Sequence, residues 1–291
     1  MRKKILVTGA SGQLGNCFRK LADDFSLHYE FDFADSSILD ITDESSVEEY
    51  FESTRPDYCV NAAAYTAVDL AESEEEKAYA VNAYGVENLA KACNKFHSTL
   101  IHVSTDYVFD GDTNISYDED NFTNPTGVYG ASKSRGEELV LEENKKTIII
   151  RTSWLYSEFN KNFVKTMLNL FQTKEELSIV ADQYGQPTNS NDLAQAIMKI
   201  IEFKDKSYGI FHFSNYPETT WYNFAKEIAN LNGSMIKLHP ITTDQYPTPA
   251  KRPVRSTMSL DKIERLYNIE PIRWEESLSD CIEILKNRDE K

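Results

Sequence analysis

The stretch Lys4-Ile5-Leu6-Val7-Thr8-Gly9-Ala10-Ser11-Gly12-Gln13-Leu14-Gly15 decides the reading of this chain. A short β-favouring apolar run meets three glycines and then a pattern that reads as a helix to about Ala22. The glycines serve three physical needs, namely a tight turn, close approach of backbone to a pyrophosphate, and close packing of helix on strand. The helix start adds free N–H groups and the positive end of its dipole. The spacing is GxxGxxG rather than GxGxxG, and a structural turn alone would account for three glycines. Their position directly after a buried strand favours a dinucleotide. The candidate cofactor contacts here are Gly9, Ser11, Gly12, Gln13, Leu14 and Gly15.

Working outward, β-rich runs at Leu27–Phe33, Tyr58–Asn61, Thr99–Ser104 and Thr147–Arg151 alternate with helical stretches. Strands apolar on both faces belong to a parallel sheet covered by helices. The expected fold is therefore α/β, a Rossmann-like doubly wound parallel sheet with ligands at the carboxyl ends of its strands. Beyond Arg151 the regularity weakens. Helices are expected at Asn162–Gln172, Asp192–Phe203 and about Trp221–Leu231, and a strand at Gly209–Ser214. A proline-rich loop over Pro240–Pro253 and two short helices follow. Residues 1–155 are assigned to the dinucleotide domain, with 189–215 returning to it. Residues 156–188 and 216–291 are assigned to a smaller, interleaved C-terminal α/β substrate lobe.

The 291 residues carry 47 acidic and 31 basic side chains, a net charge of −16. Such a surface is a poor partner for nucleic acid, whose phosphates need basic patches. The acidic runs Glu72–Glu76 and Glu137–Glu143 read as solvated helix faces. No apolar stretch approaches the ~20 residues needed to cross a bilayer, and the opening apolar run stops at Thr8-Gly9 without forming a signal-peptide core. Four scattered cysteines without a CxxC pair suggest neither a disulfide framework nor a zinc site, and a cytoplasmic location is expected.

Asp32, near the end of the second strand, stands about where an acid would bind the adenosine ribose, and no cation follows it. That leans toward NAD over NADP, although a turn aspartate would look the same. Asp40-Ile41 would meet the adenine, and Ala62, Ala63 and Ala64 would form a floor on which the cofactor lies close. Tyr129 and Lys133 stand four residues apart, on one face at the start of a helix. A tyrosine of pKa ~10 is a reluctant acid, and a neighbouring ammonium lowers it toward a useful range. A lone YxxxK is weak; downstream of a glycine loop and of Ser104-Thr105-Asp106 it is not.

Together, the glycine loop, Asn61-Ala62-Ala63-Ala64-Tyr65-Thr66-Ala67-Val68-Asp69-Leu70-Ala71-Glu72, Ser104-Thr105-Asp106-Tyr107-Val108-Phe109-Asp110-Gly111 and Tyr129-x-x-x-Lys133 resemble an extended short-chain dehydrogenase. With Arg151-Thr152-Ser153-Trp154-Leu155-Tyr156, Gln183-Tyr184-Gly185-Gln186-Pro187-Thr188 and Thr220-Trp221-Tyr222 they resemble the dTDP-4-dehydrorhamnose reductase family over nearly the whole chain. The resemblance implies reduction of the C4 ketone of a dTDP-sugar by NADPH or NADH. It implies that Tyr129 protonates the carbonyl oxygen, Thr105 polarises it, and Lys133 tunes the phenol and anchors the ribose. Asp106 and Trp154 would line the sugar pocket; a buried core aromatic is the other account of Trp154.

Dehydratases of this fold place Asp-Glu after the Ser/Thr, whereas Tyr107 follows Asp106 here, so the base for water elimination is missing. Epimerases share the Tyr–Lys pair and stay open, as does a non-catalytic cofactor-binding regulator. The basic cluster Pro249-Ala250-Lys251-Arg252-Pro253-Val254-Arg255 offers Lys251 or Arg252 to a nucleotide diphosphate, or equally to nearby acids. Some members of the resembled family dimerise around a magnesium ion held by glutamates. The matching neighbourhoods here, Gly15-Asn16-Cys17 and Pro187-Thr188-Asn189-Ser190-Asn191, carry none. No metal is expected, and a monomer or weak homodimer that is not magnesium-bridged. Sedimentation with and without a chelator is expected to return the same mass.

Overall fold

The computed structural model describes residues 2–289. The opening stretch forms β1 (Lys3–Thr8) and α1 (Gln13–Leu21), followed by β2 (Tyr29–Ala34), α2 (Glu44–Thr54) and β3 (Tyr58–Asn61). Next come α3 (Gly85–Phe96), β4 (Thr99–Thr105), α4 (Val128–Glu143) and β5 (Thr147–Thr152). The second half supplies α5 (Phe163–Thr173), β6 (Glu176–Val180), α6 (Ser190–Glu202) and β7 (Gly209–His212). It ends with α7 (Trp221–Asn232), β8 (Lys237–Ile241), α8 (Asp261–Tyr267) and α9 (Trp274–Asp289). The second strand begins two residues later than expected. Leu27 lies in the preceding turn, 85% exposed, so its apolar character does not mark a buried strand. The last helix is 16 residues long rather than short.

Six parallel strands form the central sheet in the order β7-β5-β4-β3-β1-β2. Alternation along each strand sends side chains to opposite faces. Ile5, Val7, Val60, Ile101, Ile148 and Ile150 pack with residues of α1, α6 and α8. Leu6, Cys59, Leu100 and Ile149 pack with residues of α2, α3 and α4. Apolar character on both faces is what makes the sheet doubly wound. A third apolar cluster joins Tyr156, Val164, Phe224, Trp274 and Leu278, and so ties α5, α7 and α9 together. Beside it, β6 and β8 pair in parallel.

Chain order reverses between β1 and β3, and a crevice opens at the carboxyl ends of strands at such a switch point. The position of α4 along this edge is fixed by charges that look like solvated ones in the sequence. Glu137 is buried and makes a two-pronged ion pair with Arg151 of β5, at 3.0 and 2.6 Å, with both side chains 4% exposed or less. The Arg151 guanidinium also lies 5.0 Å from the centre of the Phe109 ring. Glu72 accepts a 2.9 Å hydrogen bond from Val128 N, at the helix start where Gly127 offers no side-chain cap. The expectation of purely solvated faces fails at Glu137, which is buried against Arg151, while Glu72 stays exposed as it accepts from Val128 N. Removing one partner of a buried pair strands the other charge, at a cost of roughly 3–5 kcal/mol. Glu137→Ala is expected to lose about that much unfolding free energy, read from the urea midpoint at unchanged slope.

Candidate active site

The crevice is a cavity of about 760 Å³. One wall is the glycine loop. Gly9 has φ +63°, and a Cβ there would stand 2.6 Å from Ala63 N, so only glycine lets the β1 and β3 ends lie this close. A Cβ on Gly15 would fall 2.5 Å from Ala10 Cα, which ties α1 to the loop before it. No side chain caps α1 at Gly12 and no acid stands in its first turn. The N–H end of the helix thus meets a space lined by Gly9, Ser11, Gly12, Gln13 and Leu14. That bare, glycine-cut cradle fits the diphosphate of a dinucleotide.

Asp40, Ile41, Ala62, Ala63 and Ala64 also line the cavity. Asp32 does not: it accepts a 2.8 Å hydrogen bond from Tyr50 Oη of α2. The strand runs two residues further, to Ala34, and Ser36 lines the cavity beyond it. Tyr50 thus engages one of the two Asp32 carboxylate oxygens.

At the other wall stand Thr105, Asp106, Tyr129, Lys133 and Trp154. Thr105 Oγ1 donates to Asp106 Oδ1 at 3.1 Å and accepts from Tyr107 N at 3.2 Å. Ser256 Oγ, from the C-terminal loop, donates to Asp106 Oδ2 at 2.5 Å. A hydroxyl–carboxyl string thus leads from Ser256 to Thr105, which lines the cavity together with the Tyr129 phenol. Burial pushes that phenol up to about 12; the Thr105 hydroxyl pulls the other way and the Asp106 charge adds to the rise. Lys133, 1% exposed, donates to Val103 O at 2.7 Å, and burial lowers it to about 8. The expectation that the ammonium draws the phenol's pKa down is not met in the free protein, where burial outweighs any such pull.

The Trp154 indole stacks on that of Trp221 with centroids 3.6 Å apart, and its backbone sits at φ +45°, a region costly for a bulky residue. Both rings line the cavity, so Trp154 is no core aromatic. Arg252 pairs with Asp69 through two contacts, 3.1 and 2.8 Å, and neither Arg252 nor the exposed Lys251 lines the cavity. Among the described residues, the lysines and arginines lining it are Lys133 and Lys161. The sequence reading misses Lys161, Trp221, Ser256 and Asn82. The last donates to Tyr65 O at 3.0 Å and Ser132 Oγ at 3.1 Å, joining the loop after β3 to α4. A lone lysine between two asparagines carries no signal of its own; Trp221 lies within Thr220-Trp221-Tyr222, and that motif could have pointed to it.

A glycine-cradled crevice at the switch point of a doubly wound sheet, with a tyrosine and lysine one helical turn apart opposite, defines a short-chain dehydrogenase-type protein. The family described as the RmlD substrate binding domain matches residues 2–287. The dTDP-4-dehydrorhamnose reductase of Aggregatibacter actinomycetemcomitans is 43% identical, over 95% of this chain and 97% of its own. A crystal structure of such a reductase from Clostridium acetobutylicum superposes with a TM-score of 0.93 at 40% identity, over 97% and 99% of the two chains. Another from Bacillus anthracis, in complex with NADP, gives 0.92 at 38%, over 98% and 100%. The chain belongs to this dTDP-4-dehydrorhamnose reductase family.

Asp106 lies raised from 3.8 to about 6, mainly because burial disfavours its charge. A folded-state pKa above the unfolded value gives stability that is full below about pH 4 and is lost as pH rises through about 6. Asp106→Asn removes that penalty. Its melting temperature is expected to exceed the wild-type value at pH 8, and the advantage to vanish at pH 4.

Proposed function

We propose that the protein reduces the C4 ketone of dTDP-4-dehydro-β-L-rhamnose to dTDP-L-rhamnose, with NADPH or NADH as reductant, in dTDP-rhamnose biosynthesis. What carries this reading is Tyr129, which shares the crevice with Thr105, Lys133 and the glycine cradle, in a chain 43% identical to a reductase of that name. The relative in complex with NADP supports the cofactor class.

A reduced nicotinamide, when bound, supplies hydride to C4 of the sugar. Tyr129 gives its phenolic proton to the C4 oxygen. Its high pKa in the free protein means that the proton is present across neutral pH, as an acid needs. Thr105 orients the phenol and polarises the carbonyl. Lys133 holds the ribose and steadies the phenolate once the proton has left. Asp106 takes sugar hydroxyls, and Trp154 with Trp221 forms the apolar wall behind the ring.

Gly9, Ser11, Gly12, Gln13, Leu14 and Gly15 cradle the cofactor diphosphate, with Lys161 beside them: its neighbour Asn160 donates to Ser11 O at 2.8 Å. Asp40, Ile41 and Ala62 to Ala64 carry the adenosine and the floor. Asp32 is left out, since Tyr50 holds it. The exposed Lys251 takes the substrate diphosphate more readily than Arg252, whose guanidinium Asp69 already engages. Residues 1–155 and 189–215 form the dinucleotide domain; 156–188 and 216–291 form the substrate lobe. The protein works in the cytoplasm as a monomer or weak homodimer, without magnesium or nucleic acid.

Elimination of water would need a base beside Asp106. Tyr107 stands there instead, packed edge-on to Tyr129 at 5.6 Å and driven far above the usual phenol range by burial. Consumption of NADPH or NADH with the 4-keto sugar nucleotide tests the reading. Steady turnover is expected; tight cofactor binding without turnover would favour a regulator. Tyr129→Phe is expected to lower kcat about 10²–10⁴-fold with dinucleotide affinity little changed.

A further inference from the structure

The buried imidazole of His102, on β4, has no part in the chemistry of reduction given above. It is 0% exposed and stands between Asn61 and Lys133, with Asn61 Nδ2 3.0 Å from its Nδ1 and Lys133 Nζ 3.3 Å from its Nε2. Neighbours fix which atom of Asn61 is which. Ala63 N can only donate, and it reaches Asn61 Oδ1 at 3.1 Å; Thr8 Oγ1 reaches the same oxygen at 2.6 Å. The nitrogen of Asn61 therefore points at His102 and donates to Nδ1.

Burial and the nearby Lys133 hold the ring well below the usual histidine pKa, so it is neutral and carries one N–H. With Nδ1 occupied as an acceptor, that hydrogen sits on Nε2 and faces Lys133 Nζ. An N–H facing a nitrogen is favourable only when that nitrogen has a lone pair to offer.

We propose that His102 is a positioning residue for Lys133, held by Asn61 as the Nε2–H tautomer so that it donates to the lone pair of the Lys133 amine. The ammonium form meets an N–H head-on and is disfavoured, while the amine form keeps its own N–H for Val103 O, 2.7 Å away. The other charges at Lys133 act in the opposite sense or are spent. Glu137, one turn along α4, favours the ammonium, but its carboxylate is shared with Arg151 of β5. From the end of β3 comes the neutral Asn61.

Resting on the reductase reading, the consequence is that Lys133 passes between ammonium and amine near neutral pH, so that the charge it offers at the site depends on the His102 tautomer. When the ammonium gives up its proton to solvent, the resulting amine accepts from His102; protonation from solvent restores the ammonium.

Two measurements test this. In the full-length protein labelled with ¹⁵N-histidine, the His102 resonances are expected to show a protonated Nε2 and a bare Nδ1. This needs no turnover, so it is decided separately from the reductase reading. A proton on Nδ1 would overturn the proposal.

The second is the alkaline limb of kcat/KM in two variants. His102→Gln puts an acceptor near Nζ, and Asn61→Asp draws the imidazole proton to Nδ1. Both favour the ammonium, so both limbs are expected to move up by about one pH unit, roughly five-fold in rate at pH 9 relative to each plateau. Because the two substitutions disturb packing differently, agreement in direction separates tuning from damage. A lowered plateau with an unmoved limb in both variants would show a merely structural histidine and overturn the proposal.

Discussion

The crevice depends on how closely α4 lies along the carboxyl edge of the sheet. That helix carries Tyr129 and Lys133, and its place is set by the two-pronged contact of Glu137 with Arg151 in the dry interior. A charge buried this deeply is tolerated only with its partner in one geometry, so the pair acts as a locating pin as much as a source of stability. Glu72 holds the start of the helix and Asn82 its first turns. Three segments remote from one another thereby converge on one helix, and its phenol lines the same cavity as Thr105 as a result.

What was legible in the sequence follows the range of the interactions. The glycine loop could be read because each glycine answers to backbone geometry within a few residues, and β3 could be read because Tyr58-Cys59-Val60-Asn61 is apolar on both faces. Tyr129 and Lys133 could be paired because helical spacing alone puts them side by side. The pKa relation between them could not, since burial of the phenol is a property of the assembled crevice and exceeds the effect of the neighbouring cation. For Asp32, strand position says how far along the sheet the residue lies, and only the fold says that α2 brings Tyr50 to it. Glu137 and Ser256 were silent for the same reason: their partners lie 14 and 150 residues away.

The site also shows where stability is spent. Asp106 is kept in a place that resists its ionisation and Trp154 in a left-handed backbone conformation, and both face the cavity. Unfavourable local choices that line a crevice, in a chain whose sheet is regular elsewhere, are the imprint of a site shaped for a ligand rather than for the fold.

The reach of Ser256 to Asp106 divides the crevice between two parts of the chain. Glycine loop, β3 floor, Tyr129 and Lys133 all lie in the first half of the chain, whereas the hydroxyl that completes the acid end of the string arrives with the C-terminal loop. The sugar end of the crevice is therefore closed by a segment that the cradle residues themselves do not contain. A change confined to the C-terminal loop can thus alter the acid end of the string while leaving the glycine cradle untouched.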